Sequence, residues 1–171
     1  MDGIGQPRVV IGPSGAGKTT LARAFASAFA DRFELVLTHT TRARRPGEGD
    51  THVFVTDAEF DGADYLGTLD IFGARYGLPP LPRPRVALVV LRAAALDQFT
   101  ALFPDARIIQ VEAPPEILAE RLRARGDPER ASQADLRQEI AAGRTAADGI
   151  VRTDQPFERS LAEFAKLVGD A

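Results

Sequence analysis

The sequence predicts one α/β domain in three layers, a parallel sheet covered on both faces by helices. Short runs rich in Val, Ile and Leu alternate with helical patterns along the whole chain. These runs are continuously apolar, as expected for parallel strands buried on both faces. At 171 residues the chain can form one domain that buries roughly two-thirds of its unfolded surface, and is too short for a second full one.

RVVI (8–11) predicts a buried strand and TTLARAFASAFA (19–30) a helix presenting Leu21, Ala24, Phe25, Ala28 and Phe29 on one face. FELVLT (33–38) and HVFVT (52–56) predict strands, and Thr56 with Glu59 forms a capping box for a short helix. The Gly- and Pro-rich stretch 62–85 predicts short strands and turns. VALVVL (86–91) predicts a central buried strand, and a helix then runs until Pro104. RIIQVE (107–112) is a strand, and PPEILAERLRARG is a helix with Pro in its first turn and Gly126 past its end. Ser132 and Asp135 open a helix to about Ala147. GIVRT (149–153) is a further strand, and a closing helix from Phe157 directs Leu161, Phe164 and Leu167 inward.

Composition narrows the function classes. With 44% apolar residues, 26% charged residues and a net charge of -3, neither a nucleic-acid partner nor an anionic membrane surface is expected. No cysteine is present, which excludes disulfides and thiolate metal sites. The longest apolar run is far below the roughly 20 residues of a membrane span, and MDGIGQPR does not have the pattern of a secretory signal. A cytoplasmic location is the expectation.

Gly12-Pro13-Ser14-Gly15-Ala16-Gly17-Lys18-Thr19 satisfies G-x-x-x-x-G-K-[ST], between a predicted strand and a predicted helix. The glycines let backbone N–H groups turn toward phosphate oxygens, and the helix N-terminus adds partial positive charge. The fold expected is therefore that of the P-loop NTPases. Gly12, Ser14, Gly15, Ala16, Gly17, Lys18, Thr19 and Thr20 are the expected ATP-binding residues. Lys18 reaches the β- and γ-phosphates, and the Thr19 hydroxyl ligates Mg²⁺. Ligands of such sheets bind at the carboxyl ends of the strands, so the loops after RVVI, FELVLT and VALVVL share one mouth.

A second cationic cluster, THTTRARRPGEGD (38–50), follows the second strand. Guanidinium groups suit a phosphate dianion bidentately, although Arg42 and Arg45 also fit a solvated turn. GPSGAGKTTL, then TTRARRPGE and VFVTDAEF, resemble the guanylate kinase family over about 9–167. The resemblance implies an acceptor region at about 38–84 in which Arg42 and Arg45 hold the acceptor's phosphate, joined by Thr38, His52 and Tyr76 of the Tyr76-Gly77 pair. It also implies a mobile lid at about 121–137, where RLRARG supplies Arg121 and Arg125 and the following helix Arg137, as catalytic residues closing over the triphosphate with Lys18. On spacing alone, Arg121, Arg123 and Arg125 equally fit the exposed face of an amphipathic helix, and Tyr76 a core position.

The departures from that family concern the base. Gly67 and Leu78 occupy positions that read guanine, His52 stands where a Tyr is expected, and VALVVLR carries none of the expected acids. Thr38 keeps its hydroxyl. The phosphate grip is kept while most of the guanine grip is absent, and a site without its hydrogen-bonding partners loses its basis for discrimination. HVFVTDAEF, Tyr76-Gly77 and PEILAERLRARG also resemble ribose 1,5-bisphosphate phosphokinases, relatives that have no base to read.

The resulting expectation is an ATP- and Mg²⁺-dependent kinase that transfers the γ-phosphoryl group to a phosphate-bearing small molecule, ribose 1,5-bisphosphate or a nucleoside monophosphate such as GMP. It is expected to act as a monomer or homodimer. The alternatives are a catalytically degenerate nucleotide-binding module, against which Lys18 and Thr19 argue, and a plain NTPase, which leaves the Arg42–Arg45 turn without a role. Asp50 and Asp70 are the nearest carboxylates to the acceptor region, and neither belongs to a motif.

Overall fold

Parallel pairing of apolar strands generates the main layer. A computed structural model describes residues 6–169, so the first five residues of MDGIGQPR lie outside it. The main sheet comprises β1 (Arg8–Ile11), β2 (Phe33–Leu37), β7 (Val86–Val90), β8 (Arg107–Glu112) and β9 (Gly149–Arg152), ordered β2-β7-β1-β8-β9 and parallel throughout. Strand alternation sends Val9, Ile11, Val36, Val89 and Leu91 into one core cluster and Val10, Leu88, Val90, Ile109 and Val111 into the other.

The second cluster is covered by α1 (Lys18–Ala28), α4 (Pro115–Ala124), α5 (Gln133–Ala146) and α6 (Phe157–Gly169), while α3 (Leu96–Leu102) covers the first. Two helix faces differ from expectation. In α1 the buried residues are Leu21, Ala22, Phe25 and Ala26, and Phe29 is the exposed C-cap because the helix ends before the last turn of the pattern. In α6 the buried stripe is Ser160, Phe164 and Val168, which leaves Leu161 and Leu167 half-buried on its flanks.

A smaller sheet forms the acceptor region, with β3 (His39–Thr40), β4 (Val53–Phe54), β5 (Gly67–Ile71) and β6 (Ala74–Leu78) ordered β4-β3-β6-β5. The strand expected over 52–56 shrinks to two residues because its partner β3 is only two residues long. The Thr56–Glu59 capping box opens α2 (Asp57–Asp61) as expected. Among the described residues no helix is long and apolar enough to cross a membrane.

Candidate active site

The loop between β1 and α1 is shaped by two glycines. Gly12 lies against β8, where a Cβ would come within 2.0 Å of the Val111 carbonyl oxygen, so no side chain fits. Gly17 caps α1 in the left-handed region at φ 90°, which glycine adopts without the strain of a side chain. The first turn of α1 carries no acid, so the partial positive charge at its N-terminus meets no counter-charge there. Lys18 Nζ donates to the carbonyls of Gly12 at 2.8 Å and Pro13 at 2.9 Å. Burial, and then the neighbouring Arg130, push its ammonium down to a pKa of about 8.

The far side of the loop is braced. Arg121 of α4 donates to the Gly15 carbonyl at 3.2 Å and to the Thr153 carbonyl at 2.6 Å. The Thr153 hydroxyl, just past β9, donates to the Ala16 carbonyl at 2.8 Å. The carbonyl and following N–H of a trans peptide point in opposite directions, so tying the Ala16 carbonyl to Thr153 turns the Gly17 N–H away from the brace.

A cleft of about 430 Å³ opens at the carboxyl ends of β1 and β7. Gly12, Ser14, Gly15, Gly17, Lys18, Thr19 and Thr20 line its floor, and Ala16 is fully buried beneath. Arg42, Arg45 and His52 line the acceptor side, and Arg125 faces them from beyond α4. The Thr19 hydroxyl has no hydrogen-bond partner among the described residues, which leaves it available to an ion carried mainly by nucleotide phosphates and water. No group of three His, Cys, Asp or Glu among the described residues is placed to hold a metal.

On the acceptor turn, Glu48 is the organising residue. It receives two hydrogen bonds from Arg42 at 3.0 and 2.7 Å, one from the Arg45 N–H at 2.9 Å and one from the Thr51 hydroxyl at 2.8 Å. Burial pushes the Glu48 carboxyl up, but these bonds outweigh it and hold the pKa at about 2. His52 Nδ1 lies 2.9 Å from the Thr38 hydroxyl. Burial, then Arg42 and Arg92, lower its pKa to about 4, so the ring is neutral at pH 7.

Several expected residues sit elsewhere. Arg121 belongs to the loop brace and does not line the cleft. Arg137 is exposed, 3.3 Å from Gln133 Oε1, and Glu139 of the same helix lines the cleft instead. Thr38 and Tyr76 do not line the cleft but are buried directly behind its acceptor side, Thr38 against His52 and Tyr76 against His52 and Arg92, and both border a second pocket of about 30 Å³ that Gly67, Leu78 and Gln98 also line. Gln98 packs against Gly67, where a Cβ would lie 3.1 Å from its amide carbon, and donates to the Thr68 carbonyl. Asp50 pairs with Arg44 at 2.9 Å.

The sequence reading missed three residues: Glu48, Arg92 and Arg130. Arg130 follows the lid glycine and donates to the Ser14 hydroxyl. Burial, and then the charges of Arg45 and Arg92, lower its pKa. Nothing in its spacing marked it. Arg92 lines the cleft just past β7 and had a visible signal, as the charged residue ending VALVVLR. The one acid at a neighbouring strand end, Glu112, is 2% exposed and engaged by Arg144 and Gln110, so it does not replace the missing acids.

Known proteins resemble this chain in sequence and in fold. The guanylate kinase family model matches residues 4–63. A guanylate kinase of Nitrosococcus oceani is 39% identical over 131 residues, 69% of this chain but only 64% of that protein, less than two thirds of its length. Ribose 1,5-bisphosphate phosphokinase PhnN of Rhizobium etli is 33% identical over 145 residues, 79% of this chain and 72% of that protein. The crystal structure of guanylate kinase from Anaplasma phagocytophilum superposes with a TM-score of 0.62 at 19% identity, covering 96% of this chain and 85% of that one, and so shares the fold.

Proposed function

The chain belongs to the guanylate kinase-like family of P-loop phosphotransferases, and from that premise we propose that it transfers the γ-phosphoryl group of ATP to ribose 1,5-bisphosphate in preference to GMP. One observation carries the choice of acceptor. The place where a base would be read, beside Gly67 and Leu78, is a shallow pocket of about 30 Å³ with the Gln98 side chain packed against Gly67. That is room for about one water molecule, not for a purine. A compact sugar phosphate needs only the phosphate grip. GMP remains a second reading, supported by the 39% identity to a guanylate kinase and by the retained Thr38 hydroxyl.

The roles follow from position. The loop from Gly12 to Thr19 and the N-terminus of α1 bind the donor phosphates, and Lys18 exchanges its two loop carbonyls for phosphate oxygens. Thr19 would hold Mg²⁺ together with the nucleotide, and the ion would supply charge neutralisation of the triphosphate. Arg42 and Arg45 orient the acceptor, and Arg125 and Arg130 enclose the transferring group from the lid side. An ionised phosphate oxygen needs no general base, which fits a cleft where Lys18, Arg42, Arg45, Arg92, Arg125 and Arg130 outnumber its carboxylates. The use of ATP and a phosphorylated metabolite supports a cytoplasmic location. All these residues come from one chain, so a monomer suffices and a homodimer is compatible.

The test is a coupled assay of ADP release with ribose 1,5-bisphosphate, GMP and other nucleoside monophosphates, alongside thermal shifts with each. The proposal expects turnover to be fastest with ribose 1,5-bisphosphate. A higher kcat/KM for GMP reverses the choice of acceptor, and no acceptor-stimulated turnover at all favours a nucleotide-binding module.

A further inference from the structure

We propose that Arg92 is a catalytic residue that contacts both the acceptor phosphate and the transferring γ-phosphoryl group, at the junction of the donor and acceptor halves of the cleft. The inference rests on the reading of the chain as a phosphotransferase and adds a residue to it.

Sheet order gives Arg92 its place. β7 lies between β1, which leads into the phosphate loop, and β2, which leads toward the acceptor turn. A side chain leaving the carboxyl end of β7 therefore emerges between the two substrates. Arg92 does so after one buried residue, Leu91, with extended backbone at φ -77° and ψ 146°. It lines the same cleft as Lys18, Arg42 and Arg130.

The surroundings of its guanidinium are those of an anion site. Arg42 is paired with Glu48, and Arg45 lies 3.8 Å from Asp127. The Arg92 guanidinium, by contrast, has no hydrogen-bond or carboxylate partner among the described residues. Its ordering contact is the face of Tyr76, 5.2 Å from the ring centroid, a contact that steers a guanidinium while leaving its N–H donors free. After burial and nearer charges, its own charge adds to the lowering of Lys18 and Arg130 on the donor side and of His52 on the acceptor side, so it is felt in both halves. A guanidinium without an ion-pair partner, grouped with Lys18, Arg42 and Arg130, suits an anion that enters the cleft.

The chemistry needs a charge there. In the transfer, an oxygen of the acceptor phosphate forms a bond to the γ-phosphorus while the bond to the β–γ bridging oxygen breaks, and ADP leaves with that electron pair. Two polyanions must approach without repelling each other. A guanidinium between them can donate to both at once, offsetting repulsion in the ground state and charge in the transition state. It also explains why the strand end that was expected to carry acids ends in Arg instead.

Arg92→Ala, Arg92→Lys and Arg92→Gln are assayed with ATP and ribose 1,5-bisphosphate, with GMP in parallel, and ATP affinity is measured separately by calorimetry. The inference expects kcat/KM for transfer to fall about 100-fold or more in Arg92→Ala, with Tm near wild type and ATP Kd weakened far less than kcat/KM. Arg92→Lys should recover part of the loss, and added guanidinium should restore Arg92→Ala several-fold. Transfer within threefold of wild type in Arg92→Ala overturns it, as does a loss of transfer matched by losses of Tm and ATP affinity without guanidinium rescue. A wild-type protein that turns over no acceptor removes the phosphotransferase reading itself and this inference with it.

Discussion

Arg42 and Glu48 form a bidentate pair at 3.0 and 2.7 Å on the acceptor turn, each side chain 14% exposed. On the function proposed above, an acceptor phosphate competes with this carboxylate for the guanidinium, and Arg42 Nε is buried without a partner. Arg42→Ala should lower acceptor kcat/KM by about tenfold or more while ATP Kd changes little, since the lost contact is charge-assisted. Glu48→Ala removes four hydrogen bonds from the turn and leaves Arg42 unpaired, so it should also destabilise the fold by on the order of 2 kcal/mol. Denaturant midpoints and acceptor kinetics separate the two, and an Arg42→Ala variant indistinguishable from wild type would remove the acceptor-arginine assignment.

His52 should shape the acid limb of stability. Its folded pKa of about 4 lies below its ordinary 6.5, so between those values the unfolded chain binds a proton that the folded one does not. Stability is therefore fully present above pH 6.5 and falls as pH drops toward 4. Glu48 adds a separate loss between 4.5 and about 2, as its carboxylate is protonated. Urea midpoints at pH 7, 5.5 and 4.5 should decline in the wild type and decline less in His52→Phe. Parallel declines in the two proteins would rule out His52 as the source.

Nucleotide binding should take up a proton above pH 8. The Lys18 ammonium is pushed down to about 8 in the free protein, and phosphate oxygens raise it again on binding. ATP affinity is then at its fullest below pH 8 and falls up to about tenfold per pH unit above it, until the bound pKa is reached. Calorimetry at pH 9 in buffers of different ionisation enthalpy measures the uptake. Identical apparent enthalpies across buffers would contradict it.

Arg121 should act through the phosphate loop. Its ties to Gly15 and Thr153 predict that Arg121→Ala raises ATP Kd by about tenfold and lowers Tm, because a loosened loop must be ordered on binding. A residue acting only on the transferring phosphoryl group would lower kcat and leave ATP Kd unchanged. Measuring both in one variant distinguishes brace from lid.

The order of strands and helices, the phosphate loop and the arginine turn were legible because each depends on local pattern: apolar periodicity, capping residues and glycines at fixed spacing. The hairpin of β5 and β6 was legible only as turns and short strands, since its register depends on pairing with β3. Glu48 lay within the quoted motif, yet its role needs Arg42, Arg45 and Thr51 brought around one carboxylate.

By itself, then, the sequence determined a phosphate-binding α/β domain with a second cationic turn. Only the tertiary structure decided which cations face the cleft. Burial of Leu118, Ala119 and Leu122 fixes the rotation of α4, and the same helix then carries Arg121 under the phosphate loop. Arg125 and Arg130, past its end, reach the cleft. Residues spaced a turn apart look alike in a sequence; how each helix packs on the sheet separates them.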